Sequence, residues 1–136
     1  MSFEEAGNSE TVLVVDDDNE VRQFVVTVLS RQGYRIIQSS SGIEALSHAE
    51  QDRPKIDILV TDISLLDTDG IALAEHFVTR FPEAGVVFIS GFAGIPRSRL
   101  ENLAARWVFV EKPFPLQKLV DAVRGVLSEA RGERAA

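Results

Sequence analysis

Apolar positions along the chain follow two alternating rhythms. The first is a short, nearly continuous run. Thr11 to Val15 is β-branched and apolar and stops at Asp16-Asp17-Asp18, the pattern of a buried strand running into a polar loop. The second rhythm is helical. Val21, Phe24, Val25, Val28 and Leu29 recur at that spacing, with Asp18 or Asn19 available as a cap and Gly33 as a stop. Tyr34 to Gln38 reads as a second strand. Ile43, Leu46 and Ala49 mark a second helix, which ends by Asp52 because Pro54 restricts the residue before it.

The alternation continues to the end of the chain. Ile56 to Thr61 is a third strand, closed by Asp62. Gly70 marks a turn, and Ile71, Ala74, Phe77 and Val78 carry a third helix. Val86 to Ile89 is a fourth strand, ending at Ser90-Gly91. Arg97 to Ala105 gives a short fourth helix, with Leu100 and Leu103 facing inward. Trp107 to Val110 is a fifth strand, ending at Glu111-Lys112-Pro113. Leu116, Leu119, Val120, Val123 and Leu127 make a fifth helix. Strand then helix, five times, predicts an α/β fold: a doubly wound, five-stranded parallel sheet covered by helices on both faces. One domain is expected over residues 11–130, after a flexible acidic leader at 1–10 and before a short tail at 131–136.

Composition narrows the function classes. Hydrophobic residues make up 45% and charged residues 26% of 136, an ordinary globular balance. Cysteine is absent, which excludes disulfides, thiolate chemistry and cysteine-bound zinc. The net charge is −7, and the first twenty residues hold no Lys or Arg, so a nucleic-acid partner is not expected. No apolar run approaches the ~20 residues that span a bilayer, and the N-terminus lacks a signal-peptide pattern. A soluble cytoplasmic protein without membrane contact is the expectation.

The chemistry lies at one edge of the sheet. Ligands of open parallel sheets bind at the carboxyl ends of the strands, near the point where strand order reverses. There strand one ends in Asp16-Asp17-Asp18, strand three in Asp62, strand four in Ser90 and strand five just before Lys112. Carboxylates crowded into one cleft repel one another, and a lone lysine cannot neutralise them all. A hard divalent cation with oxygen ligands can, so the cluster reads as a Mg2+ site. One carboxylate is left as a nucleophile towards a phosphoryl group. The metal, a hydroxyl and an ammonium would balance the charge on the transferring oxygens.

Four motifs in order, Val14-Val15-Asp16-Asp17-Asp18, Asp62 with Gly70 eight residues on, Phe88-Ile89-Ser90-Gly91 and Glu111-Lys112-Pro113-Phe114, resemble those of the response-regulator receiver family. The resemblance runs from about Thr11 to Leu127. It implies a flavodoxin-like strand order, 2-1-3-4-5. It implies that Asp62 is the phosphoacceptor, and that Asp16, Asp17, Asp62 and the backbone carbonyl of Ser64 hold Mg2+. Ser90 and Lys112 then attend the phosphoryl group, Ser90 and Phe109 form a switch, and the Lys112-Pro113 bond is cis. The partners implied are a histidine kinase or histidine phosphotransfer protein and a downstream protein target, and the chain is a signalling phosphoacceptor rather than an enzyme. Ser64 and Phe92 flank the approach of hydrolytic water in the family, and the bulk of Phe92 is expected to slow loss of the phosphoryl group. Two places depart from the family's usual residues: Leu66, where proline is frequent, and Ala105-Arg106, where Gly-Ala is frequent.

Blander readings exist for each residue alone: a solvated aspartate loop with a cap, a turn aspartate, a strand-end serine, a surface lysine. Their joint placement at one sheet edge is what favours chemistry. His48 and His76 have no partner at ligand spacing and read as surface or boundary residues. An enzyme alternative starts from Leu66-Asp67-Thr68-Asp69-Gly70, which resembles the aspartate motif of haloacid-dehalogenase-like phosphatases. It fails because Ile71 stands where threonine is wanted, no acidic pair follows Lys112, and Asp16 and Asp17 would be idle. The third class is an interaction module that never takes phosphate.

Overall fold

Each apolar run becomes a strand and each amphipathic stretch a helix in the computed structural model, which describes residues 10–51, 55–91 and 97–130. The expected leader up to residue 9, the tail at 131–136, the Asp52–Pro54 helix stop and Phe92 lie outside the described residues. In chain order the elements are β1 (Thr11–Val15), α1 (Asn19–Arg31), β2 (Arg35–Ser39), α2 (Gly42–Ala49), β3 (Ile58–Asp62), α3 (Gly70–Arg80), β4 (Gly85–Ser90), α4 (Arg97–Glu101), β5 (Trp107–Glu111) and α5 (Leu116–Ala130). All strand pairs are parallel and the order across the sheet is β2-β1-β3-β4-β5, as the resemblance implies.

Strand alternation divides the interior in two. Val12 and Val14 of β1, Ile58 and Val60 of β3, and Val87 and Ile89 of β4 face α1 and α5. They pack there on Val25, Val28, Leu29, Leu119, Val120 and Val123. Leu13, Val15, Leu59, Val86 and Phe88 face the opposite way, onto Ala45, Ile71, Ala74, Phe77 and Leu100 of α2, α3 and α4. Successive side chains on a strand point to opposite faces, so the three central strands, buried on both sides, are apolar along most of their length and turn polar near their ends, at Thr11, Thr61, Asp62 and Ser90. Truncating one such side chain, Leu13→Ala for instance, costs about 2–5 kcal/mol.

Local chemistry sets the helix ends. Asp18 is the α1 cap, its carboxylate accepting from the Glu20 and Val21 N–H groups at 2.9 and 3.3 Å. Gly33, at φ 97°, turns the chain out of α1, a backbone state that costs glycine least. Helix α2 contains Ile43, Leu46 and Ala49 as expected, with Ile43 73% exposed and Gly42, Ala45 and Ala49 buried. One expectation needs correction. Helix α4 stops at Glu101, not Ala105. Tight turns from the Leu103 N–H to the Leu100 carbonyl and from the Ala105 N–H to the Leu103 carbonyl follow it. They seat Leu103 in the core and bring the chain back to β5.

Candidate functional site at the carboxyl ends of the strands

Strand order decides which loops meet. β1 and β3 are neighbours and β2 lies outside β1, so the order in which strands are added reverses at β1, and the loops after β1 and β3 diverge to leave a crevice between them. Asp62 is the last residue of β3 and is buried between its two neighbouring strands. Asp16 follows β1 directly, and Ser90 is the last residue of β4; both are buried. Lys112 follows β5, an edge strand, and its side chain must reach across β4 to the centre.

It does so. Lys112 Nζ donates to Asp62 Oδ2 at 2.7 Å and stands 3.8 Å from Asp16 Oδ2. The Lys112 backbone N–H donates to the Ser90 carbonyl at 2.9 Å, tying the lysine's base to the end of β4. The Lys112-Pro113 bond is cis, as expected from the resemblance. The other Asp62 oxygen, Oδ1, accepts from the Ser64 N–H at 2.9 Å, so both oxygens of the carboxylate are held. Gly70 supports the turn after β3. A Cβ there would stand 2.2 Å from the Asp62 carbonyl oxygen, so nothing larger than glycine fits without moving the backbone under Asp62.

Asp16 is the electrostatic odd member. Its Oδ1 accepts from the Asp18 N–H at 2.9 Å, but its buried Oδ2 accepts no hydrogen bond. Burial pushes its carboxyl above the ordinary value. The Asp18 N–H and Lys112 pull it down, and the Asp62 and Asp17 charges add to the rise. For Lys112 burial is the largest influence and disfavours the ammonium. The hydrogen bond to Asp62, with the charges of Asp62, Asp16 and Asp18, outweighs it, and the net direction is upward.

Asp17 stands apart. Its Oδ2 accepts from the Leu66 N–H at 2.8 Å, which binds the β1–α1 loop to the β3–α3 loop. Among the described residues no three acidic or histidine side chains gather around a point that could hold a metal ion. The donor set nevertheless suits a hard cation: oxygens only, with one buried carboxylate oxygen lacking a hydrogen bond. Phe109 of β5 lies half-buried on the sheet face that carries Phe88 and Trp107, away from the carboxylates, in the core shared with α4. His48 is half-buried and His76 exposed.

Asp67 and Asp69, the two aspartates of the rejected phosphatase-like motif, have other work. Asp67 accepts from the Gly42 and Ile43 N–H groups at 3.0 and 2.9 Å, holding the β3–α3 loop to the start of α2. Asp69 caps α3, accepting from the Ala72 N–H at 2.7 Å, and pairs with Arg99 of α4 at 3.1 Å. Both carboxylates are therefore spent on backbone and guanidinium. The aspartate just before Gly70 is a cap by position, a signal the sequence did carry.

A parallel sheet in this order, with acids after β1 and at the end of β3 and a lysine after β5, defines a flavodoxin-like α/β domain. Residues 12–124 match the family model of the response regulator receiver domain, and the chain belongs to that family. It is 33% identical over 121 residues to the sensor kinase CckA of Brucella abortus, covering 89% of this chain and 13% of that protein. It is 29% identical over 119 residues to the response regulator receiver protein CpdR of the same organism, covering 88% of this chain and 98% of that one. The fold superposes on a CheY-like receiver domain protein from Methanospirillum hungatei with a TM-score of 0.82 at 23% identity, over 93% of this chain and 99% of the other. This is thus a receiver domain of the two-component signalling type. No helix among the described residues is long and apolar enough to cross a membrane.

Proposed function

We propose that this receiver accepts a phosphoryl group on Asp62 in the presence of Mg2+. The donor is a histidine kinase or a histidine phosphotransfer protein, in the cytoplasm. The observation that carries this reading is the Asp62 carboxylate, buried at a strand end and fixed by Lys112 on one oxygen and by the Ser64 N–H on the other. A carboxylate so oriented is a nucleophile with its charge already balanced.

In the step itself an Asp62 oxygen attacks phosphorus, the bond from phosphorus to the donor imidazole nitrogen breaks, and the imidazole leaves with its electron pair. The Lys112 ammonium and the Ser90 hydroxyl bind oxygens of the arriving phosphoryl group. When bound, Mg2+ would be held by Asp16, Asp17, Asp62 and the Ser64 carbonyl, and it would neutralise charge on the phosphoryl oxygens. The domain is itself the acceptor, so it acts as a signalling phosphoprotein rather than a turnover enzyme. Once the Ser90 hydroxyl is drawn to the phosphoryl group, Phe109 has room to turn inward. The α4–β5–α5 face then changes for a downstream target protein.

The donor's docking place is the apolar cleft of about 540 Å³ beside the site, lined by Glu20, Val21, Phe24, Lys112, Pro113 and Phe114. Lys112 belongs both to this cleft and to the Asp62 pair, so a partner seated there brings its histidine within reach. Phe24, 42% exposed and 6.1 Å from the Phe114 ring centre, is the apolar anchor on offer.

The test is incubation with a small phosphodonor, with Mg2+ or with excess chelator. Stable phosphate on the protein with Mg2+ alone supports the receiver reading. Rapid turnover of varied phosphate esters would mean a phosphatase, and no reaction an interaction module.

A further inference from the structure

The hydrogen bond from the Leu66 N–H to Asp17 Oδ2 has a consequence for metal binding. Leu66 sits at the tip of the β3–α3 loop with its side chain 92% exposed, so side-chain burial does not hold it in place. Backbone bonds hold the tip instead, and they run in two directions. The Leu66 N–H fastens it to Asp17 in the β1–α1 loop. The next residue, Asp67, fastens it to the Gly42 and Ile43 N–H groups of α2.

We propose that the Leu66 N–H is a latch on Asp17 that competes with the divalent cation and lowers the site's affinity for it. This rests on the reading of Asp17 as a Mg2+ ligand. In the present arrangement Asp16, Asp17 and Asp62 do not converge on one point among the described residues. Asp16 and Asp62 face Lys112, while Asp17 faces Leu66. For Asp17 to join the other two, its carboxylate must swing away from Leu66. The loop tip cannot follow, because Asp67 pins it to α2. The bond to Leu66 therefore breaks when the metal binds, and its strength is subtracted from the binding free energy. A donor bonded to an ionised acceptor is among the stronger hydrogen bonds.

Proline at this position removes the donor, because its nitrogen carries no hydrogen; it costs no side-chain packing, because Leu66 is in solvent, and it holds the preceding residue extended. The experiment is a titration of wild type and Leu66→Pro with MgCl2, followed by the amide chemical shifts of Ile63 and Ser64. The expected result is a dissociation constant about tenfold lower in the variant. A second measurement uses wild type alone and needs no variant. The Leu66 amide is expected to exchange faster and move upfield as Mg2+ saturates. An equal or higher dissociation constant in a folded Leu66→Pro overturns the latch while leaving the metal site standing. So does a Leu66 amide that stays protected at saturation. Absence of any Mg2+ response in wild type overturns both the metal reading and the latch.

Discussion

Lys112 and Asp62 are fifty residues apart in sequence and 2.7 Å apart in space, Nζ to Oδ2. The contact spans two strand positions of the sheet, from the end of β5 past β4 to the end of β3. The pair joins a side chain with 26% exposure to one with 9%.

Lys112→Met keeps the length of the stem and removes the charge. Asp62 and the nearby Asp16 then face each other without a cation. Loss of one partner from a buried pair costs about 3–5 kcal/mol, and an exposed pair is worth about 0–1. For this half-open pair we expect a loss of about 2 kcal/mol at neutral pH in chelator. Urea unfolding measures it, and added Mg2+ should restore part of the loss. Unchanged stability would mean that the pair is spectator to the fold.

Asp16→Asn should act in the opposite sense. Burial raises the folded pKa of Asp16 above 3.8, so folding favours its neutral form. Its contribution is favourable below the unfolded pKa and is lost as pH rises through the folded value. An asparagine cannot ionise and escapes that loss. In chelator the variant should be more stable than wild type at pH 7, with the advantage fading as the pH falls towards 3.8. A variant less stable than wild type at pH 7 would show that the Lys112 attraction outweighs burial.

Asp69 and Arg99 separate a cap from an ion pair. Asp69→Ala removes the α3 cap as well as the pair and should cost about 1–2 kcal/mol. Arg99→Ala should cost under about 1 kcal/mol, because both side chains are some two-fifths exposed. The Asp69 carboxyl lies below its ordinary value. Burial acts upward on it, but the Ala72 N–H and Arg99 together prevail. Its stabilising contribution is therefore present above pH 3.8 and lost as pH falls through the folded value. Equal costs for the two variants in urea unfolding would assign the effect to the pair and not the cap.

The strands and the site acids were legible because they are local signals. A β-branched run cut off by Asp16 or Asp62 marks a strand end by itself, and β1 has the bounds the pattern predicts. Asp16, Asp62 and Lys112 meet because parallel strands bring their carboxyl ends to one edge, a rule that needs no contact information. What escaped was set by partners distant in sequence. Asp67 serves α2 from 25 residues downstream, so nothing near it announces the role. Ile43 has a core residue's spacing, yet α2 buries its small face, Gly42, Ala45 and Ala49, and turns the isoleucine outward. At Gly42 a Cβ would stand 2.4 Å from the Thr68 methyl carbon, so the loop after β3 packs against this helix start. Asp17 on Leu66 was hidden for the same reason: its partner is a backbone N–H of another loop.

The most direct test of the account is the site of phosphorylation. Wild type and Asp62→Asn are each incubated with a small phosphodonor and saturating Mg2+, and intact mass is followed over time. The amide is close to the carboxylate in shape but cannot attack phosphorus. Wild type is expected to gain one phosphoryl group and Asp62→Asn none, with unfolding curves showing both proteins folded. A folded Asp62→Asn that gains the group at the wild-type rate would contradict Asp62 as the acceptor.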